Sequence, residues 1–153
     1  MDEVVYLLFA LIISVIAILV VIFMPKRLSK QEVYITWFVM AYVNLTIDLI
    51  LGHLFDLYDF TGTSKITFHD LVFQATIGPP FGIIFLNFMP KRLSLFLLYL
   101  LPVTGFSSLV EWLSLKTNYI TFKGWSLLYS VPVYPLGLCF LRWQLHFLRK
   151  SKL

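Results

Sequence analysis

Hydrophobic residues in this chain cluster into blocks about 20 residues long, the length a helix needs to cross a bilayer. The first block, residues 4–24, contains one clearly polar residue, Ser14. At helical rise it covers roughly 30 Å, the thickness of a hydrocarbon core. Ser29-Lys30-Gln31-Glu32 then forms a capping box, which opens a second helix over residues 33–54. That helix dissolves into Asp56, Asp59 and the Thr61-Gly62-Thr63-Ser64 loop. A third block, residues 71–89, contains Gly78-Pro79-Pro80 and Gly82. Paired prolines remove two ladder hydrogen bonds, so this helix is predicted to kink or unwind there. The fourth block, residues 93–113, holds Pro102 and Gly105, and the fifth, residues 125–141, holds Pro132 and Pro135. The pattern predicts an all-α, polytopic transmembrane helix bundle of five spans, forming one integral membrane domain over residues 1–153.

Composition narrows the class further. Hydrophobic residues make up 59%, charged residues 13%, and mean hydropathy is +0.87. A soluble domain carries roughly a quarter charged residues, so lipid is the expected solvent. The flanks of the first block, Asp2-Glu3 before and Pro25-Lys26-Arg27 after, lack the basic start and small-residue cleavage site of a signal peptide. On the five-span topology nine basic residues share one side: Lys26, Arg27, Lys30, Lys91, Arg92, Arg142, Arg149, Lys150 and Lys152. Lys65, Lys116 and Lys123 fall on the other. This asymmetry puts the amino terminus outside and the carboxyl terminus in the cytoplasm of a plasma membrane. The basic tail then orients the chain and faces anionic lipid. Bases confined to membrane edges argue against a nucleic-acid face. The single cysteine, Cys139, rules out an intramolecular disulfide and metal-binding cysteine pairs.

Phe23-Met24-Pro25-Lys26-Arg27-Leu28-Ser29 recurs unchanged as Phe88-Met89-Pro90-Lys91-Arg92-Leu93-Ser94, 65 residues later. One reading is duplication of a two-helix hairpin. The other is that one problem found one solution twice: proline to stop a helix, bases to hold the turn inside, serine to cap. Outside the heptad only scattered positions match, such as Ala10 with Ala75 and Tyr34 with Tyr99.

An ionisable residue at a span centre costs roughly 2.5–3.5 kcal/mol by insertion scales, so Asp48 and Glu111 are functional candidates. Both fall in the outer third of the bilayer. Ala41, Asn44, Asp48 and Gly52 share one helix face, and so do Thr104, Ser107, Ser108 and Glu111. Asp70, Gln74, Gly78 and Gly82 follow steps of four, the two glycines allowing close helix approach. The three stripes converge on a polar pocket open to the exterior, with His53, His69 and Lys116 near enough to pair with the acids. Asp48, Glu111, Asn44, Gln74, Ser107 and Ser108 are its candidate ion- or ligand-binding residues. The alternative is that the acids join helices by hydrogen bonds or reach the interface. His69-Asp70 makes no chelate on its own, since adjacent helical side chains point about 100° apart. No catalytic motif or cofactor signature is legible, so neither catalytic nor metal-ligating residues are assigned. Arg142 and His146 read as anchors at the inner interface, and Trp37, Trp112, Trp125 and Trp143 as aromatic-belt residues.

Glu111-Trp112-Leu113-Ser114-Leu115-Lys116, Gly124-Trp125-Ser126 and Leu141-Arg142-Trp143-Gln144-Leu145-His146 resemble the carboxyl half of a family of small multi-pass membrane proteins from spore-forming Gram-positive bacteria. Asp48 followed by Leu57-Tyr58, and Phe85-Leu86-Asn87-Phe88-Met89-Pro90, are similar to the same pattern. The resemblance implies a bacterial plasma-membrane location and a five-helix fold, and carries over no catalytic residues. The expected function is binding or passage of a small solute, proton or cation through the outer pocket. Five short spans imply a homo-oligomer or larger membrane complex for a full transport path. The alternative is an accessory or scaffolding subunit.

Overall fold

The computed structural model describes residues 2–60 and 68–150. The Thr61-Gly62-Thr63-Ser64 loop, Lys65 and Lys152 lie outside the described residues, as do the side chains of Asp2, Glu3 and His69. Free of proline and glycine, the first block forms one helix, α1 (Asp2–Phe23), and Pro25 follows its end. Ser29 caps α2 (Lys30–Ile47) through the predicted capping box. The Glu32 amide donates to Ser29 Oγ (3.2 Å) and the Ser29 amide to Glu32 Oε2 (2.9 Å). From Asp48 to Leu54 the helix widens into π geometry. α3 (Phe68–Phe88), α4 (Leu93–Lys116) and α5 (Leu127–Lys150) complete a bundle of five helices. Two three-residue strands, β1 (Tyr58–Phe60) and β2 (Ile120–Phe122), pair antiparallel with Asp59 opposite Thr121.

Among the described residues four helices are long and apolar enough to cross a membrane: Val4–Phe23, Lys30–Leu54, Asp70–Phe88 and Leu93–Lys116. α5 runs nine residues past its expected end at 141, so Arg142, His146 and Arg149 stand on an ordered helix.

α3 remains helical through Gly78-Pro79-Pro80, and no unwound turn forms. Both proline rings are buried, and tight packing against α2 holds the segment in place. A Cβ on Gly78 would overlap the Asn44 amide, and one on Gly82 would press on Met40, so the glycines set this close approach. α1 packs on α3, and its buried face is Ala10, Ser14, Ala17 and Val21, mostly small residues at helical spacing.

The two heptads lie at one end, here the basic end. Val21, Met24, Leu28, Ile83, Leu86, Leu141 and Leu145 form the buried core there. Polar clamps close this end. Glu32 also accepts from Arg149, Nε to Oε1 at 3.0 Å and Nη2 to Oε2 at 3.3 Å, joining the start of α2 to the last turn of α5. The basic tail is therefore tied into the bundle through Arg149. Arg142 donates to the Pro90 and Lys91 carbonyls and lies over the Phe96 ring. The expected Ser94 cap is not formed: α4 begins two residues earlier than that cap would start it, with Arg92 at its N-cap and no side-chain bond.

Candidate functional site

At the opposite end the chain builds a short ribbon. Asp56 (φ 51°) and Asn118 (φ 56°) take left-handed turns that Asx residues tolerate. The Leu57 carbonyl accepts from the amides of Lys123, Gly124 and Trp125, and a Cβ on Gly124 would press on the Leu57 side chain. Lys123 Nζ bridges Asp56 Oδ1 (2.6 Å) and Asp59 Oδ2 (2.9 Å), and these two carboxylates hold its ammonium above the ordinary lysine range. The ribbon thus ties the α2–α3 connection to the α4–α5 connection.

Beneath it lies a cavity of about 420 Å³ between α2, α3, α4 and α5. Asp48, Glu111, Asn44, Gln74 and Ser107 all line it. Ser108 does not: one residue from Ser107 it points about 100° away, and the lining face of α4 runs through Ser107, Val110, Glu111 and Ser114. Ala41, Thr104 and Asp70 are also absent from the wall. Asp70 is buried, and Gly52 packs against Tyr58 instead.

Each acid is held by hydroxyl donors. Tyr58 Oη donates to Asp48 Oδ1 at 2.7 Å. Glu111 accepts at both oxygens, from Ser130 Oγ (2.5 Å) and Tyr134 Oη (2.6 Å). Trp125 Nε1 donates to Ser130 Oγ at 2.8 Å, which extends this chain to the ribbon. Burial, the Asp48 charge and hydrogen bond, and the Glu111 charge together hold the Tyr58 phenol proton well above the ordinary tyrosine range. Tyr58 is therefore in the electrostatic reach of both acids. Tyr119, buried among Phe9, Phe60 and Phe73, is shifted upward by burial and by Asp48 and Asp70.

Two of the basic partners expected for the acids are elsewhere. Lys116 lies over the Trp112 ring at 5.6 Å, and His53 is exposed. His69 has its side chain outside the described residues. Among the described residues neither Asp48 nor Glu111 makes an ion pair. No group of three His, Cys, Asp or Glu placed to hold a metal occurs among them either.

Tyr58, Ser130, Tyr134 and Trp125 are the site residues that sequence reasoning missed. Ser130, Tyr134 and Gly137 follow i, i+4, i+7 on α5, a polar and small stripe of the kind recognised on the other helices. For Tyr58 the only signal was its position soon after Asp48 in the resembling segment. No family model, curated protein or solved structure matches this chain.

Proposed function

We propose that this is a five-span plasma-membrane protein whose cavity binds, and passes or senses, a small cationic solute or a proton. The amino terminus and the ribbon face outward, and the basic end faces the cytoplasm, following the distribution of Lys and Arg. α5 is the fifth span, its last turns carrying Arg149 and Lys150 into the inner interface. Membership of the resembling bacterial family is part of the same proposal.

The observation that carries the reading is that two carboxylates line one cavity while no cation of the described residues pairs with either. In a low-dielectric interior, hydroxyl donors alone leave net negative potential, which favours a positive occupant. The scaffolding alternative needs the polar stripes on the outer surface, where a partner's helices would meet them. Asn44, Asp48, Gln74 and Glu111 instead face the shared interior.

The test is paired replacement in reconstituted vesicles. Asp48→Asn and Glu111→Gln, near-isosteric changes, are expected to reduce proton or cation flux, or its dependence on added solute, by about tenfold. Unchanged flux with loss of a co-purifying membrane partner would reject the cavity reading in favour of the accessory one.

A further inference from the structure

The cavity is large for a proton or a bare metal ion, and its wall has the wrong chemistry for either alone. Most of its lining is apolar, with aromatic rings from α3, α4, α5 and the ribbon. Tyr58, Phe60 and Trp125 stand at the ribbon end near the acids, while Phe81, Phe85 and Phe106 form the wall between α3 and α4. A hard metal ion seeks six or more oxygen ligands at short range. Here two carboxylates offer four oxygens, and three of these already accept from Tyr or Ser hydroxyls.

Carboxylates beside aromatic faces are instead the surroundings that suit an organic ammonium. Its charge is spread over C–H groups, it takes cation–π attraction from the rings, and it needs few directed hydrogen bonds. Space for an apolar body is present too. A Cβ on Gly137 would meet nothing within 4 Å, and Gly137 lines the cavity. Phe106, Val133 and Phe140 line the cavity and are also exposed on the bundle surface, so the space communicates laterally with the apolar surroundings of the helices.

We infer that the occupant is an amphiphilic organic ammonium, its cationic head between Asp48 and Glu111 under the ribbon and its apolar body along Phe81, Phe85 and Phe106. This inference rests on the cation-binding reading above and names the class of cation. Head and body are recognised by different walls, and each makes a separable contribution.

The test uses the full chain in maltoside micelles, read by tryptophan fluorescence, because Trp125 lines the cavity. Three probes are compared at equal ionic strength: hexyltrimethylammonium, tetramethylammonium, and the metal ions Na⁺ and Ca²⁺. Saturable binding of hexyltrimethylammonium is expected, with tetramethylammonium at least about tenfold weaker and the metal ions unable to compete. Asp48→Asn should weaken the hexyl probe and tetramethylammonium alike, by about tenfold, since both lose the charge partner. Phe106→Ala should weaken the hexyl probe while leaving tetramethylammonium within about twofold, since only the body loses its wall. Competition by Na⁺ or Ca²⁺ at similar concentration, with no advantage for the hexyl chain, would overturn the ammonium assignment and leave cation binding standing. Binding of the hexyl probe by wild type that Asp48→Asn leaves unchanged would overturn the assignment as well, as partition into the micelle. If none of the probes binds and proton-linked flux is also absent, both readings fall.

Discussion

Two identical heptads turn the chain at the same end of the bundle, and they are held in different ways. In the first, Asn87 Nδ2 donates to the Pro25 carbonyl (2.9 Å) while its Oδ1 accepts from the Arg27 amide (2.8 Å). In the second, Arg142 donates to the Pro90 carbonyl (3.0 Å) and the Lys91 carbonyl (2.9 Å). The proline carbonyl at the same heptad position is therefore gripped in both, each time by a side chain from a helix beyond the turn. The gripping residues are not equivalent under the 65-residue offset, since 142 − 65 falls on Ile77 and 87 + 65 on Lys152. The cap differs too. Glu32 completes a capping box in the first copy, and the residue at the same place after the second is Leu97. Seven identical residues thus specify a turn, while residues outside them decide how it is fastened. The unshared fastenings favour one problem solved twice over inheritance of a whole hairpin.

The largest expected effect comes from the first turn. Asn87→Leu leaves the Pro25 carbonyl and Arg27 amide without their partner in a fully buried setting, and should cost about 3 kcal/mol. Detergent-titration unfolding measures this, and a loss under about 1 kcal/mol would show that water or lipid headgroups replace the amide. Next is Glu32→Leu, which gives the first heptad the context of the second. It removes the box and strands Arg149, with an expected loss of about 2 kcal/mol by the same measurement. Glu32→Gln preserves a box-competent side chain and should cost roughly half as much. Equal losses for Leu and Gln would assign the whole effect to the Arg149 pair. The smallest effect belongs to the second turn. Arg142→Lys loses the fork that reaches two carbonyls and should cost about 1 kcal/mol. Amide exchange should speed up at Phe96, whose amide donates to the Arg92 carbonyl, while the first turn stays protected, and faster exchange at both turns would mean that they are coupled.

Much of the architecture was legible before any coordinates. Five helices, the break at each heptad and the Ser29–Glu32 box follow from local pattern and appear where expected. The pairing of Asp48 and Glu111 with one pocket was also readable, because each acid interrupts an apolar run and shares a face with small polar residues. Ser108 was misassigned because a stripe at i, i+3, i+4, i+7 is wider than the face that meets the cavity. The ribbon was invisible, since three-residue strands are too short to show a period of two. The π segment at Asp48–Leu54 was hidden as well: the sequence there reads as ordinary helix, and its widening accompanies the approach of Tyr58 to Gly52.

What the sequence determined by itself is the set of helices and their breaks. Long apolar runs must satisfy their backbone polar groups internally, and prolines and capping residues act within a few positions of themselves. Which hydroxyl meets which acid was decided only by tertiary structure. Ser130 and Tyr134 reach Glu111 from 19 and 23 residues away, and Arg149 reaches Glu32 from 117. Nothing local encodes such meetings. They depend on how helices rotate and tilt to bury their small and polar faces together, and that choice belongs to the whole bundle.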